Sequence, residues 1–235
     1  MTDVVTVLRK EVLEWACDLR VNRAAYLQIA VIISFLGVYL PFTQPALWVN
    51  PTVPTALTPL FFIFPSILTA SVAADAFAGE RERKTLETLF STPLRDSAIF
   101  YGKAAWAVFY SLAITFLALA CGVITALLRA QSASHVVAAA PLFGAAATAL
   151  AGSVMTAAAA VVISSRVAVA KSAQQLTTLF TMASAAAVVG LIRLNGMPLQ
   201  WRVLCLYDLV FFAAGLLALA AAALSFRRDR LFDRR

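Results

Sequence analysis

The chain is poor in charge, in histidine and in cysteine, and each shortage closes a class of function. Only 13% of its 235 residues are charged, about half the share that a soluble domain carries. With 62% hydrophobic residues and a mean hydropathy of +0.85, its surplus of apolar surface needs a solvent other than water. A soluble domain on one anchor is excluded, because apolar runs cover the whole length. The single histidine, His135, lies between runs, and no His-Asp or Glu-His pair falls inside one. An intramembrane enzyme, which needs paired polar groups at depth, is an alternative with few candidates: Asp75, Asp208 and His135. Cys17, Cys121 and Cys205 are too few and too scattered for a disulfide framework; they read as small packing residues with no metal role. The start does not read as a secretory signal, which has a short basic segment and a small-residue cleavage site. There is no GxxxxGK[ST] loop, so nucleotide is not bound that way on this chain. Period-2 alternation is missing too, which leaves helices rather than a barrel.

What is present is a set of six apolar segments, roughly 24–42, 57–78, 104–128, 137–163, 173–192 and 204–226. Each is near the ~20 residues needed to cross a hydrocarbon core. The expected fold is all-α: one polytopic transmembrane domain over residues 1–235, with six spans. Of the 19 Lys and Arg residues, all but Arg129, Arg193 and Arg202 fall before the first span, after the second, after the fourth or in the tail. The positive-inside rule then places both termini in the cytoplasm of a cell membrane. The net charge of +7 follows this topology and implies no nucleic acid. The loops on the other side, such as "TQPALWVNPTVPTA", are too short for a folded domain.

Val5, Leu8, Val12, Trp15, Ala16 and Leu19 recur at steps of three or four, which predicts an N-terminal amphipathic helix lying in the interface. Gly144, Thr148 and Gly152 are spaced by four, so helix backbones can approach closely there; the small residues of spans four and five predict that both are central. Asp75 reads as a helix-end residue placed to pair with Arg81 or Lys103, and Asp208 as an interfacial residue near Arg202. Pro59 and Pro65 can kink span two, but no buried charge accompanies them, so an ion-coupled secondary transporter is the weaker alternative.

The densest charge cluster is "GERERKTLETLF", residues 79–90. Leu86, Leu89 and Phe90 form a short apolar stripe beside it. Thr92 and Pro93 read as the cap and first position of a new helix that runs through Gly102 and Lys103 into span three. This elbow between spans suits a docking surface for a soluble partner, and equally a loop that meets lipid headgroups.

The stretch "FAGERERKTLETLFSTPLRDSAIFYGK" resembles the signature region of ABC-2 class ABC transporter permeases. Glu80, Arg81, Glu82, Arg83, Thr85, Leu86, Glu87, Thr92, Pro93, Gly102 and Lys103 carry the resemblance. Lys84 stands where those sequences have Gly, so a sharp break or a bent, continuous helix are both open. A similar elbow occurs in the haem-exporter type of permease. The resemblance implies the transmembrane subunit of an ATP-driven exporter, not itself an enzyme. It implies two copies of a separate ATPase subunit holding the ATP and Mg, and a second permease half, the same or a homologous chain. Residues 80–91 would be a coupling helix, with Glu80, Arg81, Glu82, Arg83, Thr85, Leu86, Glu87, Leu89 and Phe90 docking the ATPase. The path would be lined from spans one, two and five, including Tyr26, Gln28, Ser34 and Tyr39. Gln174, Thr177, Thr178 and Thr181 are expected on the path or on the face toward the second half. These groups are neutral, which fits a lipid-like or amphipathic substrate.

Overall fold

The computed structural model describes residues 2–19, 23–45, 48, 54–84, 96–129, 139–167, 169–195 and 201–225. Those residues are helical almost throughout and contain no strand. In order they form α1 (Thr2–Leu19), α2 (Arg23–Ile32), a π-helical segment Ile33–Tyr39, α3 (Leu40–Thr43), α4 (Pro54–Glu82), α5 (Asp96–Arg129), α6 (Ala139–Arg166), α7 (Ala170–Asn195) and α8 (Trp201–Ser225). Lipid leaves a backbone no partner but itself, so long apolar runs become uninterrupted helices. The chain is an all-α, multi-pass membrane protein.

Five helical stretches among the described residues are long and apolar enough to cross a bilayer: Tyr26–Thr43, Leu57–Glu80, Ser97–Arg129, Leu142–Arg166 and Arg202–Ala223. The remaining expected span coincides with α7, which has 26 residues and at ~1.5 Å per residue is also long enough. It is the least apolar of the long helices, because Lys171, Ser172, Gln174, Gln175, Thr177, Thr178, Thr181 and Ser184 lie along it.

Spans two and four form the centre. Within α4 and α6, 61% of the apolar window is buried, against 22% for the first span and 17% for the last. Central positions were expected for spans four and five. Span four holds that place, but span five keeps one face open, and span two stands in the middle instead. Gly152 explains part of this: a Cβ there would lie 2.8 Å from the Ser66 hydroxyl and 3.0 Å from the Phe62 ring, so α6 lies close against α4. A chain of hydroxyls ties three helices at depth. Thr69 donates to Ser111 at 2.8 Å, and Ser111 to Ser153 at 3.1 Å. Such bonds, together with small-residue packing, hold helices together where apolar burial gives no drive.

The N-terminal helix forms as expected, over Thr2–Leu19, and packs on the bundle. Val7 is buried, and Leu8 and Trp15 pack against the core of the bundle, while Val5 and Val12 are exposed. Its apolar stripe is therefore divided between α5 and the surroundings. Cys17 and Cys205 are exposed rather than packed, and only Cys121 is partly covered.

Candidate functional site

The second span ends, and the third begins, on the side of the bundle that carries α1. Helix α4 stops sharply after Glu82. The Arg83 amide donates to the Gly79 carbonyl at 3.0 Å, and Lys84 follows with φ +59°. That is the left-handed conformation that usually falls to Gly after a helix. The break is thus made although Lys replaces Gly. The turn is braced from behind: Arg83 Nη2 donates to Asp75 Oδ2 at 2.9 Å, across one intervening turn. A Cβ on Gly79 would collide with the Asp75 carboxylate, so the missing side chain is what lets Asp75 reach Arg83. Asp75 was expected to pair with Arg81 or Lys103; the geometry gives it to Arg83.

Next to this turn lies a compact ion cluster. Lys103, at the start of the third span, has a side chain only 2% exposed. Its Nζ donates to Glu80 Oε1 at 2.8 Å and to Glu11 Oε1 at 2.9 Å. Lys10 donates to the same Glu80 oxygen at 3.2 Å and pairs with Glu14 at 3.2 Å. Two ammonium groups and three carboxylates thus join α1, α4 and α5. Burial alone would lower the Lys10 pKa, but the carboxylates of Glu80, Glu11 and Glu14 outweigh it and raise it above 10.5. Gly102 prepares the seat beside it, because a Cβ there would lie 2.7 Å from a Val7 methyl. One turn further along α5, Trp15 meets Trp106 and Tyr110 edge-on, at 5.9 and 5.4 Å between ring centroids.

The expected docking residues separate accordingly. Glu80 is a correction: it faces inward, and its carboxylate is engaged by Lys103 and Lys10 rather than presented to a partner. Glu82 is exposed and accepts a bond from the Ala170 amide at 3.4 Å, at the start of α7. Arg83 is exposed and held by Asp75. Position 81 lies on α4, its side chain outside the described residues, as are Thr85, Leu86, Glu87, Leu89, Phe90 and the Thr92–Pro93 cap. Sequence reading missed the Glu11–Lys103 contact, yet a signal existed: Glu11 shares helical spacing with Val7, Leu8 and Trp15, and a carboxylate on a packed face calls for a cation.

On α7 the second expected group divides. Thr177 and Thr181 are fully buried, each donating to a carbonyl one turn back at 2.8 and 2.9 Å. Both are thus covered by their own chain in the single subunit. Gln174 is exposed and Thr178 half-buried.

The profile of the ABC-2 family transporter protein family matches residues 26–226. The chain belongs to that family. It is a permease subunit of an ABC transporter, as the signature residues suggested. The match is to the general family and does not single out the haem-exporter type. A search of curated proteins finds no match. The family match begins after α1, so the ion cluster joins the matched domain of the permease to a helix outside it.

Proposed function

We propose that this permease is half of the membrane path of an exporter, driven by a separate ATPase that docks on the segment after Glu82. One observation carries the reading: the two helices that bracket the segment are joined at 2.8 Å through Glu80 and Lys103, which also engage Lys10 and Glu11 of α1. A push on the segment would move span two, span three and α1 together. Leu86, Leu89 and Phe90 supply the apolar anchor, with Arg81, Glu82, Arg83 and Thr85 around it and Glu87 either capping the elbow or meeting the partner. Both termini lie in the cytoplasm of a cell membrane, as the distribution of Lys and Arg requires. Two ATPase copies hold the ATP and Mg, and a second permease half completes the path, with Gln174 and Thr178 on the open side of α7.

Anchors at an interface centre commonly cost more than about 2 kcal/mol when cut to Ala, and rim charges less. Leu86→Ala with Phe90→Ala should therefore release the ATPase on co-purification, or separate ATP hydrolysis from transport in reconstituted membranes. A double variant that binds its ATPase and transports at the normal rate would reduce the segment to a loop between spans.

A further inference from the structure

A different part of the molecule holds a carboxylate that the coupling scheme does not use. Asp208 lies on α8, six residues into the Arg202–Ala223 span, or ~9 Å along the helix. It lines a cleft where α4, α6, α7 and α8 converge, together with Thr58, Phe62, Thr148, Tyr207 and Phe211. Thr148 donates to Asp208 Oδ2 at 3.0 Å. Among the described residues none of the six ion pairs includes Asp208. Arg202, its expected neighbour, is exposed and forms none of those pairs either.

An ionised carboxylate within an apolar span is costly without a counter-charge, and such residues generally mark binding sites or pathways. The surroundings narrow the kind of cation. A hard metal cation such as Ca2+ or Mg2+ takes about six or more oxygens, whereas this cleft offers one carboxylate and a few hydroxyls. Its other walls are apolar: Phe62 and Phe211, edge-to-face at 5.6 Å, and Tyr207 stand beside Val188, Leu191 and Leu204. Aromatic faces beside a carboxylate suit an organic ammonium.

We propose that the Asp208 cleft is an intramembrane site for the ammonium group of an amphipathic amine, whose tail lies along the exposed apolar flank of α8. As a binding site this stands on the cleft alone. As a cargo site it rests on the exporter reading, and it adds the counter-ion that the neutral path residues lack.

The test uses the full chain, purified without an ATPase, in nanodiscs of an uncharged galactolipid, which has neither an ammonium group nor a net charge to draw the amine. The probes are a fluorescent single-tailed primary amine and the alcohol of the same tail. The amine should bind wild type more tightly than the alcohol by about tenfold to a hundredfold, the factor a charge-assisted hydrogen bond commonly carries. Asp208→Asn, which keeps an acceptor for Thr148, should erase that preference and leave alcohol binding unchanged. Phosphatidylethanolamine that competes with the amine would identify a lipid headgroup as occupant. Amine binding that resists the lipid, and stimulates the ATPase when that subunit is added, would identify cargo. Either result supports the site. Equal binding of amine and alcohol to wild type, or a preference that survives Asp208→Asn, would overturn it and leave Asp208 as a tie between α6 and α8. Because the binding comparison of amine and alcohol is made before any ATPase is added, its failure says nothing against the coupling scheme.

Discussion

Lys103 Nζ and Glu80 Oε1 stand 2.8 Å apart at the junction of the second and third spans, both almost sealed from solvent. Removing one member of such a pair strands the other. Lys103→Met should destabilise the protein by about 3–5 kcal/mol, read as a fall in resistance to denaturing detergent. Lys103→Met combined with Glu80→Gln should cost less than the sum of the two single changes, because each loss is largely the cost of the abandoned partner. Strict additivity would mean that the two groups do not interact.

Gly102 gives a steric test of the same junction. Gly102→Leu should push Val7 and α1 off α5, at a cost of about 1–3 kcal/mol for overpacking. A fluorophore on the exposed Cys17, after replacement of Cys121 and Cys205, should then show lower anisotropy. Unchanged anisotropy would place the Val7 contact outside what holds α1.

The Lys84 turn gives a gain rather than a loss. A non-glycine residue in the left-handed region costs about 1–2 kcal/mol, so Lys84→Gly should relieve about 1 kcal/mol, and Lys84→Val should destabilise. Detergent-denaturation midpoints of the three proteins should rank Gly, Lys, Val from most to least stable. A Gly variant weaker than wild type would mean that the Lys84 side chain contributes something the backbone argument omits.

Alkaline pH should loosen α1. A cation whose pKa is raised on folding contributes stability that is fully present below its unfolded value, and loses it as pH climbs through the folded one. For Lys10 that window opens at 10.5 and extends upward. The Cys17 fluorophore should gain mobility across it. In Lys10→Arg, whose guanidinium keeps its proton there, the gain should shift to higher pH. Identical curves would assign the transition to another group.

The helices were legible because lipid permits so little else: the apolar runs fall on long helical stretches, although α5, the third span, begins at Asp96, eight residues before its run. The contacts between them were harder to read. Small polar residues such as Thr177 and Thr181 serve close packing inside a chain as well as between chains, so composition alone did not show that both are buried within their own chain. The signature cluster was visible, but the sense of Glu80 was not, since its partners Lys10 and Lys103 come from positions well before and after it. Asp208 is the same problem at greater depth: Thr148, its donor, is sixty residues earlier. Lys84 was legible as an oddity, and only the backbone angle decided that the break survives it.

The Glu11–Lys103 bond has a consequence for biosynthesis. Its members are 92 residues apart, and α1 emerges from the ribosome first. At ~5–20 residues per second, α1 waits about 5–20 s before Lys103 exists to receive it. Throughout that interval Glu11 lacks its deepest counter-charge and Val7 has no groove. The membrane surface or a chaperone must shelter the helix until the third span arrives. Closure of the junction is then the first moment at which the nascent chain can register that two spans have been inserted in the correct order.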